Sequence, residues 1–72
     1  MKYASEVMEY MSARAGREIK MAELIRRCCG KVRGEERRAA HLAIWRVLKL
    51  LLENKSITEH KKGRTSSLYT WP

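Results

Sequence analysis

The stretch GEERRAAHLAIWRVLKLLLENKSITEHKKGRTSSLYTW, residues 34–71, decides how this chain folds. It opens on a glycine and two acids, then runs through an uninterrupted apolar-periodic segment. Ala40, Ile44, Val47, Leu48 and Leu51 recur at helical spacing and define a core stripe. Arg38, Leu42, Arg46 and Lys49 fall on the opposite face. His41 and Trp45 lie between the two, with Leu52 on the same shoulder. Gly34 is placed to cap the helix, and Glu35 and Glu36 face the positive end of its dipole. The spacing predicts one long helix over residues 35–53, stopped at Asn54-Lys55. Ile57 is the first residue after it that favours burial. Residues 56–61 and 65–71 read as two antiparallel strands joined through Lys62-Gly63-Arg64. In the second strand Leu68 and Thr70 point one way, Tyr69 and Trp71 the other.

The front half is read outward from there. Residues 2–15 predict a first helix with Ala4, Val7, Met8, Met11 and Ala15 as its apolar stripe and Tyr3 and Tyr10 beside it. Gly16 stands where a terminating glycine belongs. Arg17-Glu18-Ile19-Lys20 is a stub of strand that pairs later with the hairpin, with Ile19 inward. Residues 21–29 predict a second helix, with Ala22, Ile25 and Cys28 or Cys29 recurring and Met21 and Leu24 close by. Glu23 lies early and Arg26 and Arg27 late, as the helix dipole favours. Gly30 ends it, and residues 30–34 form a turn bounded by two glycines.

Composition limits what such a chain does. Its 72 residues make a single domain, residues 1–72, with a thin core. Hydrophobic residues make up 44% of the chain, too many for intrinsic disorder. No apolar run reaches the ~18 residues of a membrane span, and the first residues lack the apolar core of a signal peptide. The expected location is the cytoplasm of a bacterial or phage-infected cell. Sixteen Lys and Arg against eight Asp and Glu leave a net charge of +8, which favours polyanionic partners.

Catalytic chemistry has no foothold in the sequence, and the chain is read as a non-enzyme. There is no nucleophile–histidine–acid set, no pair of carboxylates in apolar surroundings and no glycine-rich phosphate loop. Cys28 and Cys29 are adjacent, which opposes a disulfide between them, and His41 and His60 stand at no zinc spacing. Neither a metal nor any other cofactor is expected. The cysteines read as small thiols buried at a helix end.

The order helix, stub, helix, turn, long helix, hairpin resembles the winged helix-turn-helix family of DNA-binding domains. Residues 19–25 carry the resemblance at the start of the second helix, and residues 45–57 carry it from the third helix into the wing. The likeness spans nearly the whole chain and is nearest to small stand-alone prokaryotic regulators of phage, plasmid or pilus operons. The turn at residues 30–34 is longer than the tightest family pattern. The fold class implied is α+β, mostly helical, with three helices and a C-terminal β-hairpin wing.

The resemblance implies double-stranded DNA as partner and transcription regulation as role, with the third helix in the major groove and the protein on the nucleoid when bound. It points to Arg37, Arg38, His41, Leu42 and Trp45 on the outer face. Arg38 suits base reading, because a guanidinium fork binds a guanine edge at two points. Arg37 lies nearer the core stripe and suits a phosphate, as do Lys31 and Arg33 in the turn. Lys61, Lys62 and Arg64 at the wing tip would track the backbone or reach the minor groove. The plain alternatives are solvated helix charges and lysines that guard a strand edge against aggregation. A second function class is a winged-helix adaptor that binds a protein partner, or a second copy of itself, through Leu42, Trp45 and Leu52. RNA binding is favoured by charge alone, without the stacked strand aromatics of an RNA module. A membrane surface is disfavoured, since the positive charge is not gathered on one amphipathic helix.

Overall fold

A computed structural model describes residues 2–63 and 66–72, without the side chains of Lys62 and Ser66. The described residues form α1 (Ala4–Ser12), β1 (Glu18–Lys20), α2 (Met21–Cys29), α3 (Glu35–Glu53), β2 (Thr58–Lys62) and β3 (Ser66–Thr70). The fold is α+β, with three helices against a small antiparallel sheet, and is compatible with a winged-helix arrangement. No helix among the described residues is long and apolar enough to cross a membrane.

The long helix α3 organises the core. Its five buried residues are Ala40, Ile44, Val47, Leu48 and Leu51, the stripe read from the sequence. Each large aliphatic side chain removed from water here contributes about 1.5–3 kcal/mol. Glycine 34 caps the helix, and the Arg38 N–H donates to its carbonyl at 3.1 Å. At the far end the chain turns through a Schellman arrangement. Ser56 N–H donates to the Leu51 carbonyl at 2.8 Å and Lys55 N–H to the Leu52 carbonyl at 3.0 Å. That geometry places Lys55, not a glycine, at φ 60°. The next residue but one, Ile57, is buried.

The sheet order is β1-β3-β2, so the last strand is central. β1 pairs antiparallel with β3, with Ile19 opposite Tyr69, and β2 pairs with β3, with Glu59 opposite Tyr69. Ile19 and Tyr69 share the face that packs into the core. Leu68, on the other face between Lys20 and His60 in register, is also buried. The Gly16 N–H donates to the Trp71 carbonyl at 2.8 Å, joining the start of β1 to the end of the hairpin.

The first two helices differ from expectation in phase and length. α1 begins at Ala4 and ends at Ser12, and residues 13–16 are turn. Arg14 bends back to donate to the Tyr10 carbonyl at 3.2 Å, and Gly16 takes φ 85° to reach Trp71. The buried residues of α1 are Val7 and Met11, with Tyr3, Ala4 and Tyr10 packed beside them. Met8, expected in the stripe, is 41% exposed, and Ala15 is exposed. The face has rotated toward the tyrosines, whose large rings bury more apolar area than a methionine. α2 has the predicted bounds, but it buries Leu24 and Ile25 and leaves Ala22 exposed. Cys28 and Cys29 are free and only half-buried.

The turn between α2 and α3 rests on its two glycines. Gly30 has φ 73° and ψ −150°, and Gly34 has φ 59° and ψ −128°. A side chain in that region of backbone space is strained, whatever room surrounds it.

Candidate nucleic-acid interface

Three hollows run across one side of the molecule, each sharing a residue with the next. The first lies at the α2–α3 turn and is lined by Arg26, Lys31, Arg33 and Arg37 around Ala22, Gly30 and Val32. The second lies at the amino-terminal end of α3, lined by Gly34, Arg37, Arg38, His41 and Leu42. The third, of about 330 Å³, separates α3 from the wing and is lined by Met21, His41, Trp45, Glu59, Lys61, Ser67 and Tyr69. Arg37 joins the first to the second, and His41 joins the second to the third.

Local sequence explains each placement. Arg38 and Leu42 stand one helical turn apart on the face opposite the core stripe, so both are solvent-exposed. Arg37 sits one residue back from Arg38 and nearer the core stripe. It projects into two hollows because the helix there has run past the apolar core. Lys61 shares a sheet face with Glu59, Ser67 and Tyr69, the face turned to α3.

The electrostatics of the strip are uneven. The first two hollows are lined by five different cations, Arg26, Lys31, Arg33, Arg37 and Arg38, and by no carboxylate. Among the described residues the one ion pair is Arg17 with Glu23, at 3.0 Å, on a different part of the chain. In the third hollow Glu59 offsets Lys61, and burial, reinforced by the Glu59 charge, pushes the Tyr69 phenol above its ordinary pKa. The strip therefore offers a positive surface at the turn and helix start, and a mixed aromatic cleft under the wing.

Most of the residues singled out from the sequence meet on this strip: Lys31, Arg33, Arg37, Arg38, His41, Leu42, Trp45 and Lys61. Lys62 contributes its backbone to β2, with its side chain outside the description, and Arg64 lies outside the described residues. The three apolar residues of the shoulder go separate ways. Leu42 is 47% exposed and beside Arg38, Trp45 is 37% exposed and in the cleft under the wing, and Leu52 is half-buried against the core. Arg26 was read from the sequence only as a dipole partner. Its signal was its place four residues after Ala22, on the side of α2 that the fold leaves uncovered.

A larger groove lies on the other side of α3, about 640 Å³, where Tyr3, Cys28, Cys29 and Val32 face Ala39, Ala43 and Leu42. Burial pushes the Cys28 thiol above its ordinary pKa, which keeps it protonated and a poor metal ligand or nucleophile at neutral pH. Among the described residues no three His, Cys, Asp or Glu side chains gather as a metal site. No family model, no curated protein and no solved structure matches the chain.

Proposed function

We propose that this chain is a winged helix-turn-helix domain that binds double-stranded DNA and acts as a transcription regulator of a bacterial, phage or plasmid operon. The observation that carries the reading is the strip itself: a hollow of unpaired cations at the α2–α3 turn that continues without an acid into the start of α3. A helix in the major groove reads bases from its amino-terminal end, while cations around it hold phosphates. On this reading Arg38 meets a guanine edge. Arg26, Lys31, Arg33 and Arg37 grip the backbone beside it, and Lys61 on the wing follows the flanking strand. No reacting group is assigned, and the protein works as a binder in the cytoplasm, on the nucleoid when DNA is bound.

Exposing the purified protein to random duplex DNA tests the proposal. Enrichment of a sequence motif supports it, and a palindromic motif adds that two copies bind together. The affinity for the enriched duplex is expected to fall steeply with salt, as phosphate contacts release counterions. A flat salt dependence, or preference for structured RNA over every duplex, overturns it.

The exposure of Leu42 and Trp45 favours one second reading, a protein-binding adaptor. The two part on a pair of variants. Trp45→Ala abolishes function and Arg38→Ala spares it if the chain is an adaptor, and Arg38→Ala is the damaging one if it binds DNA.

A further inference from the structure

The outward face of α3 carries Arg38, Leu42, Arg46 and Lys49, all exposed, so one leucine sits among cations at one-turn spacing. Leu42 is the most exposed of the large apolar side chains, at 47%, and it lies outside the apolar core. It contributes little to folding, and a charged or polar residue would serve a solvated face better. Its position needs another account.

We propose that Leu42 reads the 5-methyl group of a thymine in the major groove, next to the base that Arg38 engages. The inference rests on the DNA-binding reading above and names the base chemistry at one position of the site. Leu42 lines the hollow at the amino-terminal end of α3 together with Arg38, where a groove-bound helix meets base edges. Four residues of helix advance about 6 Å along its axis, at ~1.5 Å each. Base pairs rise ~3.4 Å each, so Leu42 falls about one or two base pairs from Arg38.

The chemistry of the groove then selects the base. A leucine side chain neither donates nor accepts a hydrogen bond. The purine edges and cytosine N4 present polar atoms there, which an aliphatic group would strip of water without replacing the bond. The thymine methyl is the apolar feature of the major-groove edge, and burying it against Leu42 gains free energy on both sides. The flanking cations hold the backbone on either side, so the contact is made dry without burying an unpaired charge.

The test starts from the duplex enriched by selection on the full chain. Each thymine is replaced in turn by deoxyuridine, which removes the methyl and nothing else, and affinity is measured by titration. One replacement is expected to weaken binding about fourfold, the value of one buried methyl-sized group. It lies about one or two base pairs from the guanine whose 7-deaza analogue weakens the wild type but not Arg38→Ala. Leu42→Ala binds the thymine and deoxyuridine duplexes equally well and keeps the wild-type unfolding temperature. Leu42→Met keeps the discrimination. In a duplex with cytosine at that position, 5-methylcytosine restores part of the wild-type affinity and none of it for Leu42→Ala. Indifference to deoxyuridine at every thymine overturns the inference and leaves DNA binding standing. So does a penalty that survives in Leu42→Ala, or a selected site with no thymine beside that guanine. Failure to enrich any duplex overturns the DNA-binding reading and this inference with it.

Discussion

Two groups of arginines in this small domain meet opposite fates. Near the end of α1, Arg17 pairs with Glu23 at 3.0 Å, and Arg14 lies 3.8 Å from the centre of the Tyr10 ring. The Tyr10 hydroxyl also donates to Glu23. One half-buried carboxylate thus ties α1 and the turn after it to α2. At the other end of α2 and the start of α3, Arg26, Arg33, Arg37 and Arg38 line open hollows with Lys31, and no carboxylate lines those hollows. The first group is spent on joining helices. The second repels itself across water, a modest cost at physiological salt, and is left to an outside anion. Whether a cation is structural or available depends on what the fold places beside it, and a net charge of +8 says nothing of that division.

The comparison breaks most visibly by emptying the unpaired group. The Arg33/Arg37/Arg38→Ala triple variant is expected to weaken duplex binding about a hundredfold or more near 0.1 M salt. Its log–log salt slope should be shallower by about three, at ~0.9 per lost phosphate contact. Its unfolding temperature should stay near wild type. Fluorescence anisotropy across a salt series reads both binding quantities. An Arg14/Arg17→Ala variant that loses as much affinity would erase the distinction between the groups.

The paired group is probed from its acid. Glu23→Gln keeps the shape and removes the charge that holds Arg17 and Tyr10. With Arg17 more than half exposed, its ion pair is heavily screened, so the expected loss is about 1 kcal/mol, or about 4–8 °C in unfolding temperature, at unchanged DNA affinity. The hydrogen bond to Glu23 holds the Tyr10 phenol above its ordinary pKa. That contribution to stability is full below about pH 10 and is lost as the pH rises through the raised value. An ultraviolet titration of Glu23→Gln should find one tyrosine ionising at lower pH than in wild type. An unchanged titration would mean Tyr10 does not depend on Glu23.

A cation belonging to neither group sharpens the comparison by doing least. Lys55 occupies the left-handed position of the Schellman turn with φ 60°. Lys55→Gly is expected to raise stability by about 0.5–1 kcal/mol by relieving that conformation, and to leave DNA affinity within about twofold. Chemical denaturation measures the first, and a loss of stability would show that the lysine side chain itself supports the turn.

Much of the architecture was legible before any fold was seen, and unevenly so. α2 and α3 were bounded as they stand, because helical period and end signals are local in the chain. The phase of α1 was not. Met8 and Tyr10 are both plausible core residues, and the choice went to the tyrosine that finds Glu23 thirteen residues away. Ala22 was read inward by the same local logic, which hid Arg26 from the candidate surface although Lys31, Arg33, Arg37 and Arg38 were named.

The sequence alone determined the core stripe of α3, the stop at residues 54–55, the presence of a hairpin and the excess of positive charge, since each depends on neighbours a few residues apart. Only the tertiary structure decided that β1 completes the sheet through Glu18 opposite Thr70, that Arg37 and His41 link three hollows into one strip, and that Leu42, Trp45 and Leu52 part company. These depend on groups far apart in the chain, whose meeting is set by the balance of burial over all the elements at once. A helix states its own faces in its period. Which of those faces stays open is decided by what the rest of the chain leaves uncovered.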